Sequence, residues 1–289
     1  MKKSIEKIIQ RPASPGMVGD GFRVFHYIPG TDISQRRISP FLVLDFNAAY
    51  DFGPSKKVKG VGVHPHKGFE TVTIAYKGSV AHHDSAGNSG VIRPGDVQWM
   101  TAGSGILHKE YHEEEFSKQG GPFEMVQLWV NLPQKHKLTA PHYQAITASQ
   151  MGKAQLPDNQ GIVNVIAGNF NGISGPAATY TPVNLLDIKL NRDGALVAKI
   201  PATHNTALLV INGSIAVNDE KTAEHSFVLF NNDGEDIELR ALENSVILLL
   251  SGEPIQEPIA SYGPFVMNTE EEIYEAIQEF QTGKFGVLS

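Results

Sequence analysis

The sequence predicts an all-β protein with two sandwich or barrel domains and one C-terminal helix. Short alternating or apolar segments recur along the chain with turn residues between them, which is typical of sandwiches and barrels. The length of 289 residues exceeds what one small domain needs. The stretch TVTIAYKGSVAHHD also resembles TALLVINGSIAVND further along, which indicates two copies of one β-domain.

The predicted strands fall into two groups. Those of the first half are FRVFHYI (22–28), FLVLDF (41–46), FETVTIAY (69–76) and FEMVQLWVNL (123–132). Those of the second half are GIVNVIAG (161–168), NLLDIKL (184–190), TALLVI (206–211), SFVLF (226–230) and NSVILLL (244–250). The polar stretch 133–158 lacks strand periodicity and connects the halves. We therefore expect domains at 1–135 and 136–289.

The C-terminal helix is predicted over 269–282. Thr269 and Glu272 have the spacing of a capping box, and Gly283 is placed to end the helix. Ile273 and Ile277 lie on one face together with Phe280, and we expect the helix to belong to the second domain.

Composition narrows the class of protein. The net charge of −7 and the lack of a basic block argue against direct binding of nucleic acid. The chain has no cysteine, so any metal must be held by histidine, carboxylate or water. The N-terminal stretch MKKSIEKIIQ lacks the apolar core of a signal peptide, and no apolar run approaches the ~20 residues of a membrane helix. We expect a cytoplasmic monomer.

Two pairs of polar residues predict a metal site. His64 and His66 are two residues apart, as are His108 and Glu110, and residues at this spacing share one face of a strand. Pro65 favours an extended backbone between the first two. If the two strands are neighbours, three imidazoles and one carboxylate meet, which suits iron, manganese, copper, nickel or zinc. The alternative is that both pairs are ordinary exposed strand residues.

The order of these motifs resembles the cupin superfamily and, more closely, the pirin family. The resembling stretches are HPHKGFETVT (64–73), HDSAGNSGVIRPGDVQWMTAGSGILHKE (83–110), QLWVNLP (127–133) and YGPFVMNTEEEI (262–273). The resemblance implies two cupin-type β-sandwich domains of the jelly-roll kind, with one divalent transition metal in the N-terminal domain. Iron is the expected metal, with manganese, nickel, copper and zinc as alternatives.

The resemblance also implies the ligands His64, His66, His108 and Glu110. The general cupin pattern offers Glu70 instead as the acidic ligand. Glu70 is an even number of residues from His66, so an extended backbone would place both on the same face. The closer resemblance to pirins favours Glu110, with Glu70 beside the ligands rather than among them.

The second half departs from the metal-binding pattern. Counting back from Gly213 places Lys199 and Pro201 where the first half has its histidine pair, so we expect a C-terminal cupin domain without a metal site. Ser104 stands where pirins often carry arginine, and we expect this difference to alter the mouth of the cavity.

The activity implied by the resemblance is that of a quercetin 2,3-dioxygenase. The substrates are then a flavonol and dioxygen, the products are carbon monoxide and a depside, and Glu110 is the catalytic proton acceptor as well as a ligand. Candidate residues for the pocket wall are Phe46, Phe69, Trp99 and Met125. The alternative is a non-catalytic metal-binding regulator that acts through a protein partner.

Overall fold

A computed structural model describes residues 1–30 and 33–288. Antiparallel strands make up most of it. The strands as far as residue 146 are β1 (Ile5–Ile9), β2 (Gly16–Val18), β3 (Phe22–Ile28), β4 (Phe41–Phe52), β5 (Gly60–His66), β6 (Phe69–Lys77), β7 (Val80–Asp84), β8 (Ser89–Ile92), β9 (Val97–Thr101), β10 (Ile106–His112), β11 (Gly121–Asn131) and β12 (His142–Ile146).

The remaining strands are β13 (Gly152–Gln155), β14 (Gly161–Ala167), β15 (Asn169–Phe170), β16 (Ile173–Ser174), β17 (Val183–Leu190), β18 (Ala195–Lys199), β19 (Asn205–Asn212), β20 (Ile215–Val217), β21 (Glu220–Thr222), β22 (Phe227–Phe230), β23 (Asp236–Ala241), β24 (Ser245–Gly252), β25 (Ala260–Tyr262) and β26 (Phe265–Met267). The helices are α1 (Glu114–Gln119) and α2 (Glu270–Gln281), and short 3-10 turns span Gln134–His136 and Pro157–Asn159.

The chain forms two compact units. Domain A takes in the described residues of 13–30, 41–148 and 255–289, and domain B those of 1–12, 31–40 and 149–254. Both units are discontinuous, whereas the boundaries expected from the sequence were the continuous segments 1–135 and 136–289. No helix within the described part of the chain has the length and apolar character of a membrane span.

The two domains repeat one strand order. Domain A has a seven-stranded sheet, β12-β9-β6-β11-β4-β3-β2, and a four-stranded sheet, β5-β10-β7-β8. Domain B has a seven-stranded sheet, β1-β22-β19-β24-β17-β14-β13, and a four-stranded sheet, β18-β23-β20-β21. The turns at Gly78 and Gly213 both have a positive φ, 74° and 82°, in agreement with the internal similarity of the sequence.

The discontinuous boundaries have a specific cause. In domain A the edge strand β12 follows the other strands along the chain, but in domain B the equivalent edge is β1, which pairs antiparallel with β22. At the other terminus, residues 255–289 carry β25, β26 and α2 into domain A. The alternation of residues along a strand does not specify which sheet edge the strand pairs with. The sequence therefore did not reveal that the N-terminal strand belongs to domain B and the C-terminal segment to domain A.

The C-terminal helix begins as predicted. Thr269 accepts a hydrogen bond from the Glu272 backbone, and the Glu272 side chain completes the capping box. Ile273 is buried and Ile277 packs beside it against β26, but Phe280 remains 40% exposed. The helix packs in domain A rather than in the C-terminal half of the chain.

Candidate metal centre

Neighbouring strands bring the predicted residues together. β5 carries His64 and His66, and it pairs antiparallel with β10 so that His108 lies opposite His64. A bulge follows His108, so that the next partner pair is Glu110 and Val61. The condition set by the sequence, that the two strands be adjacent, is met.

The three histidines form one cluster. Ring nitrogens of His64, His66 and His108 lie within 4.8 Å of one another. Their ring centroids are 4.8 Å apart for His64 and His66, 4.2 Å for His64 and His108, and 4.6 Å for His66 and His108. This spacing lets one cation contact all three imidazoles.

Burial keeps these imidazoles neutral. It lowers the pKa of His66 and His108 well below the usual range, and the neighbouring histidines lower both further. Burial also lowers the pKa of His64, against a hydrogen bond from its Nδ1 to the Gly62 carbonyl at 2.8 Å. With Nδ1 as the donor, Nε2 of His64 carries a free lone pair.

The cluster has unsatisfied nitrogen atoms. Among the described residues, neither ring nitrogen of His108 has a hydrogen-bond partner, and Nδ1 of His66 has none. Buried polar atoms without partners are costly, and neutral imidazole nitrogens are good ligands for first-row divalent metals. The residues present therefore fit a metal ion.

Glu110 lies beside this cluster with different contacts. It accepts hydrogen bonds from Thr73 Oγ1 at 3.2 Å and Gln127 Nε2 at 3.5 Å, both on the opposite sheet. Burial raises its pKa to about 7, although these two hydrogen bonds lower it. Its oxygens are not part of the group of clustered ligand atoms, so ligation by Glu110 stays a prediction.

Glu70, the alternative acidic ligand, is also buried. Its Oε1 accepts a hydrogen bond from Thr101 Oγ1 at 2.7 Å, and burial raises its pKa to about 7. It does not belong to the histidine group either.

A cavity of about 370 Å³ opens beside the cluster. Its walls are Val18, Phe22, Val24, Asp45, Asn47, Val61, His64, His66, Glu110, Met125, Gln127, Trp129 and Pro264. Of the predicted wall residues Met125 is confirmed, whereas Phe46, Phe69 and Trp99 are buried core residues that do not line the cavity.

Sequence reasoning missed three polar residues of the wall, Asp45, Asn47 and Gln127. Asp45 interrupts the apolar run FLVLDF, and Gln127 precedes LWV, so each was a detectable exception to its strand pattern.

The other histidines of this region have structural roles. His82 Nε2 lies 2.7 Å from the Tyr143 hydroxyl. His112 is buried, and its Nε2 lies 2.8 Å from the Gly21 carbonyl. The aromatic rings of Phe22, Phe52 and Phe123 pack around it.

The equivalent positions of domain B are apolar. His112 lies opposite Val80 in domain A, as Ala241 lies opposite Ile215 in domain B, so Ile237 and Leu239 correspond to His108 and Glu110.

Strand pairing also locates the equivalents of the histidine pair. Ala198 lies opposite Ile237 and thus corresponds to His64, with Ile200 at the place of His66. The count that reached Lys199 was wrong by one residue, since Lys199 points outward to an ion pair with Asp236 at 2.9 Å.

Comparisons with known proteins agree with this architecture. The family profile described as Pirin matches residues 21–130, and that of the Pirin C-terminal cupin domain matches residues 185–286. The Pseudomonas aeruginosa protein named "Putative quercetin 2,3-dioxygenase PA2418" is 48% identical over 268 residues, which is 93% of each chain. The chain belongs to the pirin family.

Two further relatives extend the match to nearly the whole chain. The pirin of Mus musculus is 36% identical over 292 residues, covering 99% of this chain and 94% of its own. A crystal structure titled quercetin 2,3-dioxygenase from Acinetobacter baumannii has a TM-score of 0.94 and 44% identity, with 100% of both chains covered. The three clustered histidines all lie within the segment matched by the Pirin profile.

Proposed function

We propose that this pirin is a metal-dependent dioxygenase that cleaves quercetin or a related flavonol with dioxygen. The observation that carries the proposal is a cluster of three histidines, two of them buried and His64 half-buried, beside a largely apolar cavity. The similarity to proteins named for quercetin 2,3-dioxygenase activity supports the choice of substrate.

His64, His66 and His108 would hold the metal, with Glu110 as the fourth ligand. Iron is the expected ion, and manganese, nickel, copper and zinc are alternatives that an imidazole and carboxylate set also accepts. When bound, the cation supplies positive charge that stabilises the deprotonated 3-hydroxyl oxygen of a flavonol.

Glu110 is proposed as the proton acceptor for that hydroxyl group. It lines the cavity, and the hydrogen bonds from Thr73 and Gln127 fix the orientation of its carboxyl group. Its raised pKa of about 7 suits a group that takes up a proton near neutral pH.

The apolar walls suit the flat rings of a flavonol and limit the access of water. Val24, Val61, Met125 and Trp129 contribute to these walls. In the overall reaction dioxygen adds to the flavonol, and ring cleavage releases carbon monoxide and a depside.

The test is aerobic incubation with quercetin while its near-visible absorption is recorded. We expect a loss of absorption that is restored by added iron or nickel after chelation, and that disappears in His64→Ala. His204→Ala is the matched control, because His204 is a buried histidine of domain B that lies 3.4 Å from Ser251 Oγ. Unchanged absorption with all five metals would overturn the proposal and leave a metal-binding regulator as the alternative.

We also propose a cytoplasmic location, a monomeric state, and the absence of direct binding to nucleic acid.

A further inference from the structure

The cavity of domain A has an acidic wall residue that the proposed reaction does not use. Asp45 lies on β4 and lines the same cavity as His64, His66 and Glu110. Its side chain is 15% exposed, and its oxygens do not join the cluster of histidine nitrogens. Asp45 is therefore available to a substrate group other than the one at the metal.

The strand pairing places Asp45 next to the catalytic region. Asp45 lies directly opposite Gln127 on β11, and the Gln127 amide contacts Glu110 at 3.5 Å. The strands β11 and β4, which carry Gln127 and Asp45, are neighbours and therefore about 4.8 Å apart. A flat molecule that contacts Glu110 and lies across these two strands also reaches Asp45.

An exposed histidine holds this carboxylate. His26 Nδ1 lies 2.6 Å from Asp45 Oδ1, and the hydrogen bond to Asp45 raises the pKa of His26. His26 is the hydrogen-bond partner of the Asp45 side chain within residues 1–30 and 33–288, and Oδ2 keeps its acceptor capacity. The pair thus presents an oriented acceptor at a mostly apolar wall.

We propose that Asp45, held by His26, determines substrate specificity by accepting hydrogen bonds from vicinal hydroxyl groups of the bound aromatic molecule. This inference rests on the proposed function, because it assigns the second recognition point of the same site. A carboxylate beside Val24 and Met125 loses hydration when a ligand enters, and only a hydroxyl donor restores the lost hydrogen bonds. Ligands without these donors bind more weakly.

The test compares binding of quercetin and galangin to the protein as isolated, under argon. Both flavonols carry the same 3-hydroxy-4-keto group, but galangin lacks the vicinal hydroxyl pair. Quenching of tryptophan fluorescence reports binding, since Trp129 lines the cavity. We expect the wild-type protein to bind quercetin about tenfold more tightly, as for a hydrogen bond to a charged group.

Asp45→Asn should reduce this preference to within about twofold, mainly by weaker binding of quercetin. His26→Gln, which removes only the support of the carboxylate, should give an intermediate ratio. Asp51→Asn is the matched control, because Asp51 is an exposed aspartate on the same strand, and it should keep the wild-type ratio.

Each outcome distinguishes the inference from the proposed function. An equal preference in wild-type and Asp45→Asn protein, or no binding of either flavonol, overturns the role of Asp45. Preferential binding of quercetin that depends on Asp45, without aerobic turnover under any metal, supports the specificity site and overturns the dioxygenase.

Discussion

Domains A and B share one strand order, but the interior of domain A is partly polar whereas that of domain B is apolar. Domain A places His108 and Glu110 on β10, where domain B has Ile237 and Leu239 on β23. In domain B these residues belong to a continuous apolar core, whereas in domain A the equivalent space holds the histidine cluster and the cavity. The comparison shows that the scaffold alone does not specify a metal site, because a few inward-facing residues decide it.

The core of domain B is apolar at the positions that carry the site in domain A. Val228, Ile237, Leu239 and Ile247 are each at most 1% exposed and belong to one continuous hydrophobic cluster. In domain A, polar side chains face one another across the sandwich and need water, a metal or a substrate to complete their contacts.

The largest expected effect comes from replacing His108 with isoleucine, the residue type at the equivalent position of domain B. His108→Ile should lower the bound metal below about a tenth of the wild-type content, because it removes one of three clustered imidazoles. The stability of the metal-free protein should be unchanged or raised, since an unpaired buried imidazole is lost. Elemental analysis and thermal unfolding measure the two effects. His204→Ala should keep its metal, and a His108→Ile protein with half the wild-type content would contradict the site.

The next effect concerns Glu110, the proposed proton acceptor. Glu110→Gln should lower kcat about 100-fold or more while most of the metal remains bound, because the amide keeps the shape but does not take up a proton. Steady-state rates with quercetin measure it, with the exposed Glu115→Gln as control. A rate within twofold of wild type would remove Glu110 from the chemistry.

The reverse exchange should destabilise domain B. Ile237→His places an imidazole in a closed apolar core, and we expect the free energy of unfolding to fall by about 2–4 kcal/mol without any gain in metal. Denaturant titration gives the value. Val197→His is the control, because Val197 is 47% exposed on the neighbouring strand. Equal stability of the two variants would mean that the interior of domain B is less closed than described.

The smallest expected effect is a dependence of the stability on pH, caused by a residue of domain A. Burial raises the pKa of Glu70 to about 7, above its ordinary value of 4.5, so the folded protein binds this proton more tightly. The stabilising contribution is therefore present at low pH and is lost as the pH rises through about 7. In domain B the position that corresponds to Glu70, counted from Gly78 and Gly213, is Asn205, which does not titrate.

Glu70→Gln should remove this dependence. Between pH 5 and pH 8 the metal-free wild-type protein should lose about 1–3 kcal/mol of stability relative to the variant. Urea unfolding midpoints at the two pH values measure the difference. Parallel curves would show that Glu70 titrates normally in the folded protein.

Local features of the chain were enough to predict most of the site. The parity of His64 and His66, and the position of His108, placed three imidazoles correctly, because side chains two apart on a strand share a face. Thr269 and Glu272 likewise predicted the start of α2, because a capping box is made within four residues.

Long-range partners were beyond the reach of the sequence. The pairing of β1 with β22, the contact of Glu110 with Thr73 and Gln127, and the bond between His26 and Asp45 all join residues distant along the chain. Strand pattern and spacing report which face a side chain occupies, since they depend on the local backbone. Which faces meet, and whether the space between them is filled or open, depends on the packing of both sheets together.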